Sequence, residues 1–288
     1  MMFKIKLLNK IIFAILTITL LSSPALASDI SFSTLEPEIG SFITIKTHSD
    51  LANGEVILNN QSFPIRADNN QGISIVPISY WWSPGEYTAT FIDNQSRTWL
   101  KENIKIQTVD FDKSYLTIDD DQEEIVRPTD PERQARREKD QEMVQAARAK
   151  SNQDRLWNES FIWPLEGRLT TDYGATRYHN NELANRHNGI DIAAPTGTPV
   201  TASNAGQVTL AADLLVTGNT IIIDHGWNIY SSYLHLNELF VEKGDHVTKG
   251  EKIGAVGSTG FSTGPHLHWS ISYNRIFLDP RSFVDLEL

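Results

Sequence analysis

The chain has 288 residues, a formal net charge of −11 at pH 7 and no cysteine. This length suits two domains, and the acidic balance argues against binding to nucleic acid or to an anionic membrane. Without cysteine the protein has no disulfide bonds and no thiolate nucleophiles or metal ligands, so we expect each domain to be stabilised by a core of its own.

The first 27 residues have the pattern of a secretory signal peptide. Three lysines precede an apolar run from Ile11 to Leu21, and Ala25-Leu26-Ala27 has the small-x-small pattern of a cleavage site. A membrane anchor is the alternative, but this run is too short to cross a bilayer comfortably. We therefore predict cleavage before Ser28, which gives an exported and soluble mature protein without a stable membrane anchor.

Residues 28–110 are predicted to form a small immunoglobulin-like β-sandwich. Alternating patterns at 41–47 and 55–58 indicate strands, and Asn-Gly and Asn-Asn pairs beside them indicate turns. Tyr87 has the position of the corner tyrosine found in such sandwiches. The run Tyr80-Trp81-Trp82 has two interpretations: a patch that binds sugar or peptide, or ordinary packing of large aromatic side chains.

Residues 111–156 are predicted to be a charged linker that contains a helix. After an acidic run at 119–124, Asp130 suits a helix N-cap and Pro131 suits the first helical position. The stretch from Glu132 to about Lys150 has too few apolar positions for a core helix. We expect a solvated spacer between the domains, and we hypothesise that this helix or the sandwich limits access to a site in the next domain.

Residues 157–288 are predicted to form a mostly antiparallel β domain, which makes the protein mainly β. Predicted strands lie at 206–210, 219–224, 230–234 and 252–256. Seven of the eight histidines fall in this domain, namely His179, His187, His225, His235, His246, His266 and His268. This bias indicates a functional site. His225 and His246 lie near predicted turns, and we expect them to be structural or exposed.

The stretch from Gly264 to Trp269 is the most informative part of the chain. The residues from Leu267 to Tyr273 alternate between bulky and small or polar side chains, which predicts a strand. Positions i and i+2 of a strand point to the same face. His266 and His268 should therefore project into one site. A lone histidine is more often structural, but two on one strand face after a glycine-rich loop favour chemistry.

His187 and Asp191 form the second informative pair. Residues four apart share a face of a helix or a strand, and Gly189 and Ile190 favour the extended form. Together with His268 they provide three nitrogen or oxygen ligands and leave a fourth position open, as in catalytic rather than structural zinc sites. The spacing favours a catalytic metal without deciding the matter.

Three signatures resemble those of the lysostaphin/LytM-type zinc metallopeptidases, which cut peptide bridges in bacterial cell walls. The first runs from His187 to Asp191, the second contains His235, and the third contains His266 and His268. The resemblance implies one zinc ion per chain, with His187, Asp191 and His268 as its ligands. It also implies that His235 and His266 act on the attacking water and the developing oxyanion.

The resemblance extends from about Trp163 to Pro280 and implies hydrolysis of the peptide stems of peptidoglycan in an open zinc groove. Because no Glu stands in a metalloprotease helix motif, a histidine has to move the proton. The layout resembles exported proteins of Gram-negative bacteria, which favours a periplasmic location over secretion and D-alanyl–diaminopimelate cross-links over glycine bridges. A non-catalytic activator of other wall hydrolases and a peptidase acting on a protein substrate remain as alternatives.

Three residues are predicted to bind substrate: Tyr178, His179 and Thr263. The loops at 173–186 and 211–218 are the expected walls of the groove.

Overall fold

A computed structural model describes residues 30–48, 52–95, 97–284 and 286. The predicted signal peptide and its cleavage site lie outside these residues. The described chain is mainly β with mostly antiparallel pairing, which confirms the predicted fold class. None of the helices in the described ranges is long and apolar enough to cross a membrane.

The N-terminal β region consists of two four-stranded antiparallel sheets, in the orders β1-β2-β6-β5 and β4-β3-β7-β8. Its strands are β1 (Ser31–Phe32), β2 (Phe42–His48), β3 (Glu55–Leu58), β4 (Gln61–Pro64), β5 (Arg66–Asp68), β6 (Gln71–Pro77), β7 (Gly85–Ile92) and β8 (Thr98–Ile106). The predicted strands at 41–47 and 55–58 correspond to β2 and β3. The Tyr87 hydroxyl donates to the carbonyl oxygen of Ser83 at 2.8 Å, the kind of bond that a corner tyrosine makes.

The linker is more ordered than the sequence suggested. It contains β9 (Lys113–Leu116), α1 (Asp120–Val126) and α2 (Pro131–Ala147). The predicted start of α2 is confirmed, since the Asp130 side chain accepts a hydrogen bond from the backbone of Arg133 and Pro131 is in the first turn. Helix α1 was not predicted, although the acidic run contains a capping box between Asp119 and Gln122.

Helix α2 does not behave as a solvated spacer. Ala147 is buried, and Met143 and Val144 pack beside it. The residues that they pack against are Leu210, Leu214, Ile222 and Tyr230. These few apolar positions lie on one face of the helix because they are spaced by about one turn. The helix is therefore fixed to the C-terminal β region.

The C-terminal β region is built around a ten-stranded antiparallel sheet, whose main path is β10-β13-β20-β17-β16-β15-β18. The elements are β10 (Arg168–Thr171), β11 (Thr176–His179), β12 (Glu182–Arg186), β13 (Ile190–Ala193), β14 (Pro199–Thr201), β15 (Gly206–Leu214), β16 (Gly218–Asp224), β17 (Ile229–Leu239), β18 (His246–Val247), β19 (Lys252–Val256), β20 (His266–Tyr273), β21 (Ile276–Leu278) and α3 (Arg281–Val284). Every strand predicted in this domain is present.

A separate three-stranded sheet, β12-β11-β9, lies where a loop was expected. Strands β11 and β12 form a hairpin that turns at Asn180 and Asn181, both with positive φ. The linker strand β9 pairs in parallel with β11. The linker is thus hydrogen-bonded, through β9, to one wall of the predicted groove.

The two β regions share one continuous apolar core. The ring centroids of Phe42 and Phe283 are 4.7 Å apart, and those of Phe63 and Tyr273 are 6.0 Å apart. The expectation of separate cores is therefore wrong. Destabilising one region should weaken the other.

Candidate metal centre

The three predicted metal ligands meet where β13 and β20 pair. Asp191 on β13 lies directly opposite His268 on β20, and His187 lies in the segment that enters β13. All three side chains are buried. Antiparallel pairing thus brings together two motifs that are far apart in the sequence.

Their ligand atoms form a small triangle. His187 Nε2 is 3.0 Å from Asp191 Oδ1 and 2.9 Å from His268 Nδ1, and His268 Nδ1 is 2.8 Å from Asp191 Oδ1. His187 Nδ1 donates to the carbonyl oxygen of Asp172 at 2.8 Å, so its Nε2 carries a lone pair when the ring is neutral.

These three atoms fit a metal ion. A single cation is the partner that can bind two imidazole nitrogens and one carboxylate oxygen at once, and zinc, with bonds of about 2.0–2.1 Å, can reach all corners of such a triangle. The Nε2 atom of His268 is buried and has no hydrogen-bond partner within the described ranges. That atom carries the proton when Nδ1 offers its lone pair to a metal.

The charge states of the site also suit a metal. Burial opposes ionisation of Asp191, but the interactions with the adjacent His187 and His268 outweigh it and hold the pKa of this carboxyl well below its ordinary value. Burial lowers the pKa of His268 to about 3. At neutral pH the carboxylate is therefore charged and the imidazole is neutral, which are the forms that bind metal.

Two further histidines face each other beside the triangle, with ring centroids 4.9 Å apart. His235 Nδ1 lies 2.8 Å from the carbonyl oxygen of Thr259, and His266 Nδ1 lies 2.7 Å from that of Gly264. A carbonyl oxygen only accepts, so Nδ1 carries the proton and Nε2 of the neutral ring keeps a lone pair. His266 Nε2 is 3.9 Å from Asp191 Oδ1.

The environment of His235 favours a neutral base. Burial, followed by the nearby charge of His266, lowers the pKa of His235 to about 4. Its φ of 62° is rare for a residue other than glycine, and backbone strain of this kind concentrates at functional sites. The pairing register of β17 with β16 also shifts around this position.

A cavity of about 320 Å³ opens onto His235 and His268. Both predicted walls contribute to it, through residues of the β11–β12 hairpin and through Val216 and Thr217. A third wall comes from the linker. Its residues are Val126, Arg127 and Arg137.

The three predicted substrate-binding residues are placed differently. His179 is buried and lines this cavity, and burial lowers its pKa. Tyr178, its neighbour in β11, is not a lining residue and stacks on Tyr115 of the linker with ring centroids 4.8 Å apart. Thr263 is exposed in the loop before β20. The structure thus places only His179 at the cavity.

Arg177 is the residue of this site that the sequence analysis missed. Its Nη2 donates to Asp191 Oδ2 at 2.8 Å, and it lines the cavity with His179. The available signal was its spacing, since residues two apart in a strand point to the same side. Without knowing that 176–179 is a strand, this spacing had no meaning.

The two remaining histidines in this region are structural or exposed, as expected. His225 is fully buried, with Nδ1 2.8 Å from the carbonyl oxygen of Ala205 and Nε2 2.7 Å from the Ser231 hydroxyl. Both of its ring nitrogens are therefore occupied. His246 is exposed on β18.

The segment that carries most of these residues also matches known proteins. Residues 185–280 match the family described as peptidase family M23. The peptidoglycan DD-endopeptidase ShyA of Vibrio cholerae serotype O1 is 37% identical over 123 residues, which are 42% of this chain and 29% of ShyA. The matched part thus spans less than a third of that relative.

Solved structures extend the comparison. The catalytic domain of the prophage-encoded M23 protein EnpA from Enterococcus faecalis is 32% identical, and the match covers 41% of this chain and 95% of that domain, with a TM-score of 0.36. A crystal structure of an M23 peptidase from Pseudomonas aeruginosa has a TM-score of 0.64 at 23% identity, covering 88% of this chain and 96% of the other. This last likeness supports the fold across both β regions.

Proposed function

Because the chain belongs to peptidase family M23, we propose that it is a zinc-dependent endopeptidase that hydrolyses peptide cross-links of bacterial peptidoglycan. The observation that carries the proposal is the triangle of His187, Asp191 and His268, with the Nε2 atoms of His235 and His266 available beside it. A metal site flanked by two proton-transfer groups is suited to hydrolysis.

The residues divide the chemistry between them. When bound by His187, Asp191 and His268, zinc supplies a Lewis acid that polarises the scissile carbonyl and favours attack by water. Nε2 of His235 and Nε2 of His266 can accept a proton from the attacking water and return it to the leaving amine. A protonated imidazole in this place also stabilises the developing oxyanion.

The substrate is proposed from the relatives and the setting. ShyA is named as a peptidoglycan DD-endopeptidase, which supports cleavage of D-alanyl–diaminopimelate cross-links here. We place the mature protein in the periplasm of a Gram-negative bacterium, after removal of the predicted signal peptide. Its partners there are the peptide stems of peptidoglycan.

Digestion of purified sacculi tests this proposal. Sacculi that contain D-alanyl–diaminopimelate cross-links are incubated with zinc-loaded protein, and the muropeptides are separated and identified by mass spectrometry. We expect cross-linked dimers to decrease and monomers to increase. The matched control is His187→Ala, which removes one ligand and should leave the profile unchanged.

The alternatives give different results. An unchanged profile with folded, zinc-loaded protein contradicts the proposal. If the protein then accelerates hydrolysis by an added amidase, it is an activator. If it cleaves an exported protein but not sacculi, it is a peptidase with a protein substrate.

A further inference from the structure

The two carboxylate oxygens of Asp191 have different partners. Oδ1 lies 3.0 Å from His187 Nε2 and 2.8 Å from His268 Nδ1, whereas Oδ2 accepts a hydrogen bond from Arg177 Nη2 at 2.8 Å. The two oxygens are chemically equivalent, so rotation about the last side-chain bond could exchange them or present both to the metal. A residue outside the triangle has to prevent this.

Arg177 is held firmly enough to do so. It lies in β11, where it pairs with Asn185 on β12 and with Ser114 on the linker strand β9. The Arg177 side chain is 21% exposed and the Asp191 side chain 7%, so water competes little for the bond between them. The guanidinium therefore projects from the middle of a three-stranded sheet rather than from a loose loop.

We propose that Arg177 is a positioning residue for the metal: by binding Oδ2, it keeps Asp191 turned so that Oδ1 alone faces the two histidines. This rests on the metal site of the proposed function but not on its substrate. Partners that orient a metal ligand typically contribute about 10–100-fold to metal affinity. The positive charge of Arg177 acts in the opposite direction, because it repels a cation nearby.

Two substitutions separate orientation from charge. Arg177→Met removes both the donor and the charge, while Arg177→Lys keeps the charge but replaces the planar fork by a point donor. If orientation dominates, both variants should bind zinc about 10–100-fold more weakly. If charge dominates, Arg177→Met should bind zinc more tightly and Arg177→Lys should match the wild type.

The measurement is the zinc dissociation constant, obtained by competition with a coloured chelator, together with thermal unfolding of the metal-free proteins. Arg127→Met is the matched control, because Arg127 lines the same cavity but pairs with Glu123 and Glu182 rather than with Asp191. The zinc affinity of Arg127→Met should stay within about threefold of the wild type. This change is well below the loss of about 10–100-fold expected when an orienting partner is removed.

Cobalt substitution gives a second readout that a purely structural role would not change. The visible spectrum of bound Co²⁺ depends on coordination number, so a carboxylate that binds through both oxygens alters it. We expect an altered spectrum in Arg177→Lys and in Arg177→Met if that variant folds. Wild-type zinc affinity and an unchanged cobalt spectrum in the folded lysine variant would overturn the proposal. Since no substrate is involved, this outcome is distinct from a failure to hydrolyse peptidoglycan.

Discussion

The two β regions have the same fold class and share a core, yet they bury different chemistry. In the N-terminal sheets, the buried polar side chains of the described residues carry only hydroxyl groups: Thr44, Thr47 and Ser74. The C-terminal region buries imidazoles and carboxylates, namely His179, His187, Asp191, Asp224, His225, His235 and His268. Buried ionisable groups cost free energy unless they are partnered. Their concentration in one region identifies where function resides.

The histidines of the C-terminal region also show how a functional imidazole differs from a structural one. Four histidines place Nδ1 within 2.7–2.8 Å of a backbone carbonyl oxygen: His187 at Asp172, His225 at Ala205, His235 at Thr259 and His266 at Gly264. In His225 the other nitrogen is bonded to Ser231. His187 Nε2 is one corner of the ligand triangle, and His266 Nε2 lies 3.9 Å from Asp191 Oδ1. The ring centroid of His235 is 6.3 Å from that of His268. The carbonyl fixes the tautomer, and the second nitrogen determines the role.

Removing histidines from the C-terminal region should have the largest effect. His268→Ala deletes a proposed metal ligand, so zinc content and peptidoglycan hydrolysis should fall together. His266→Ala deletes only a proposed proton-transfer or oxyanion group, and groups of this kind contribute about 10²–10⁴-fold in rate. It should therefore keep its zinc but lose most turnover, and His235→Ala should behave likewise.

Zinc content and initial rate are measured on the same samples of each variant. His246→Ala serves as the control, because this exposed histidine is on β18, at the opposite end of the sheet's main path from β13 and β20. A His266→Ala protein that keeps near-wild-type activity, or one that loses its zinc, would show that the two histidines of β20 are not divided in this way.

The structural histidine, His225, should make the free energy of unfolding depend on pH, and this effect should be of intermediate size. Burial lowers the pKa of His225 to about 4, from about 6.5 in the unfolded chain. Its neutral form therefore contributes stability that is present above pH 6.5 and lost as the pH falls through 4. Between pH 7 and pH 4 the loss amounts to about 3 kcal/mol.

Urea unfolding of metal-free protein at both pH values measures this contribution. His225→Gln cannot be protonated, so its free energy of unfolding should fall less than that of the wild type between pH 7 and pH 4. His246→Gln should keep the wild-type dependence. Equal pH dependence in the wild type and His225→Gln would remove His225 from the acid response.

Local patterns in the sequence predicted much of this structure. The strand alternation of β20 placed His266 and His268 on one face, and Asp130 with Pro131 located the start of α2. Pairings between distant segments were not predictable. The parallel pairing of β9 with β11 and the shared core both depend on tertiary contacts. Such contacts leave no periodic signal in the sequence. Arg177 was missed for the same reason.

A substitution in the third wall of the cavity, which the linker forms, should have a smaller effect on activity. Arg137 Nη1 donates to the carbonyl oxygen of Val126 at the end of α1, and both residues line the cavity. A hydrogen bond from a charged donor is worth about 1.5–3 kcal/mol. Arg137→Ala should therefore loosen α1 and raise the rate of sacculus hydrolysis several-fold.

Initial rates on sacculi and limited proteolysis around residues 117–130 measure this effect together. The control is Lys139→Ala, which removes one positive charge from an exposed position of the same helix. If Arg137→Ala becomes easier to cut by the protease but hydrolyses sacculi no faster, the linker does not restrict access.

The smallest effect is expected in the N-terminal region, at Trp81. This side chain is 69% exposed, whereas its neighbour Tyr80 is buried, so the aromatic run combines a packed residue with an exposed one. Substitutions at exposed positions usually change stability by less than about 0.5 kcal/mol. Trp81→Ala should therefore leave zinc content, unfolding and the rate on a soluble cross-linked muropeptide unchanged.

Co-sedimentation with sacculi decides between the two interpretations of the run Tyr80-Trp81-Trp82. If the aromatic side chains serve only in packing, binding stays at the wild-type level, as we expect. A clear loss of binding, with the soluble substrate still cleaved normally, would show that the N-terminal region contacts the cell wall through the exposed Trp81 ring. Its contribution would then differ in kind from that of the C-terminal region, which buries its ionisable groups.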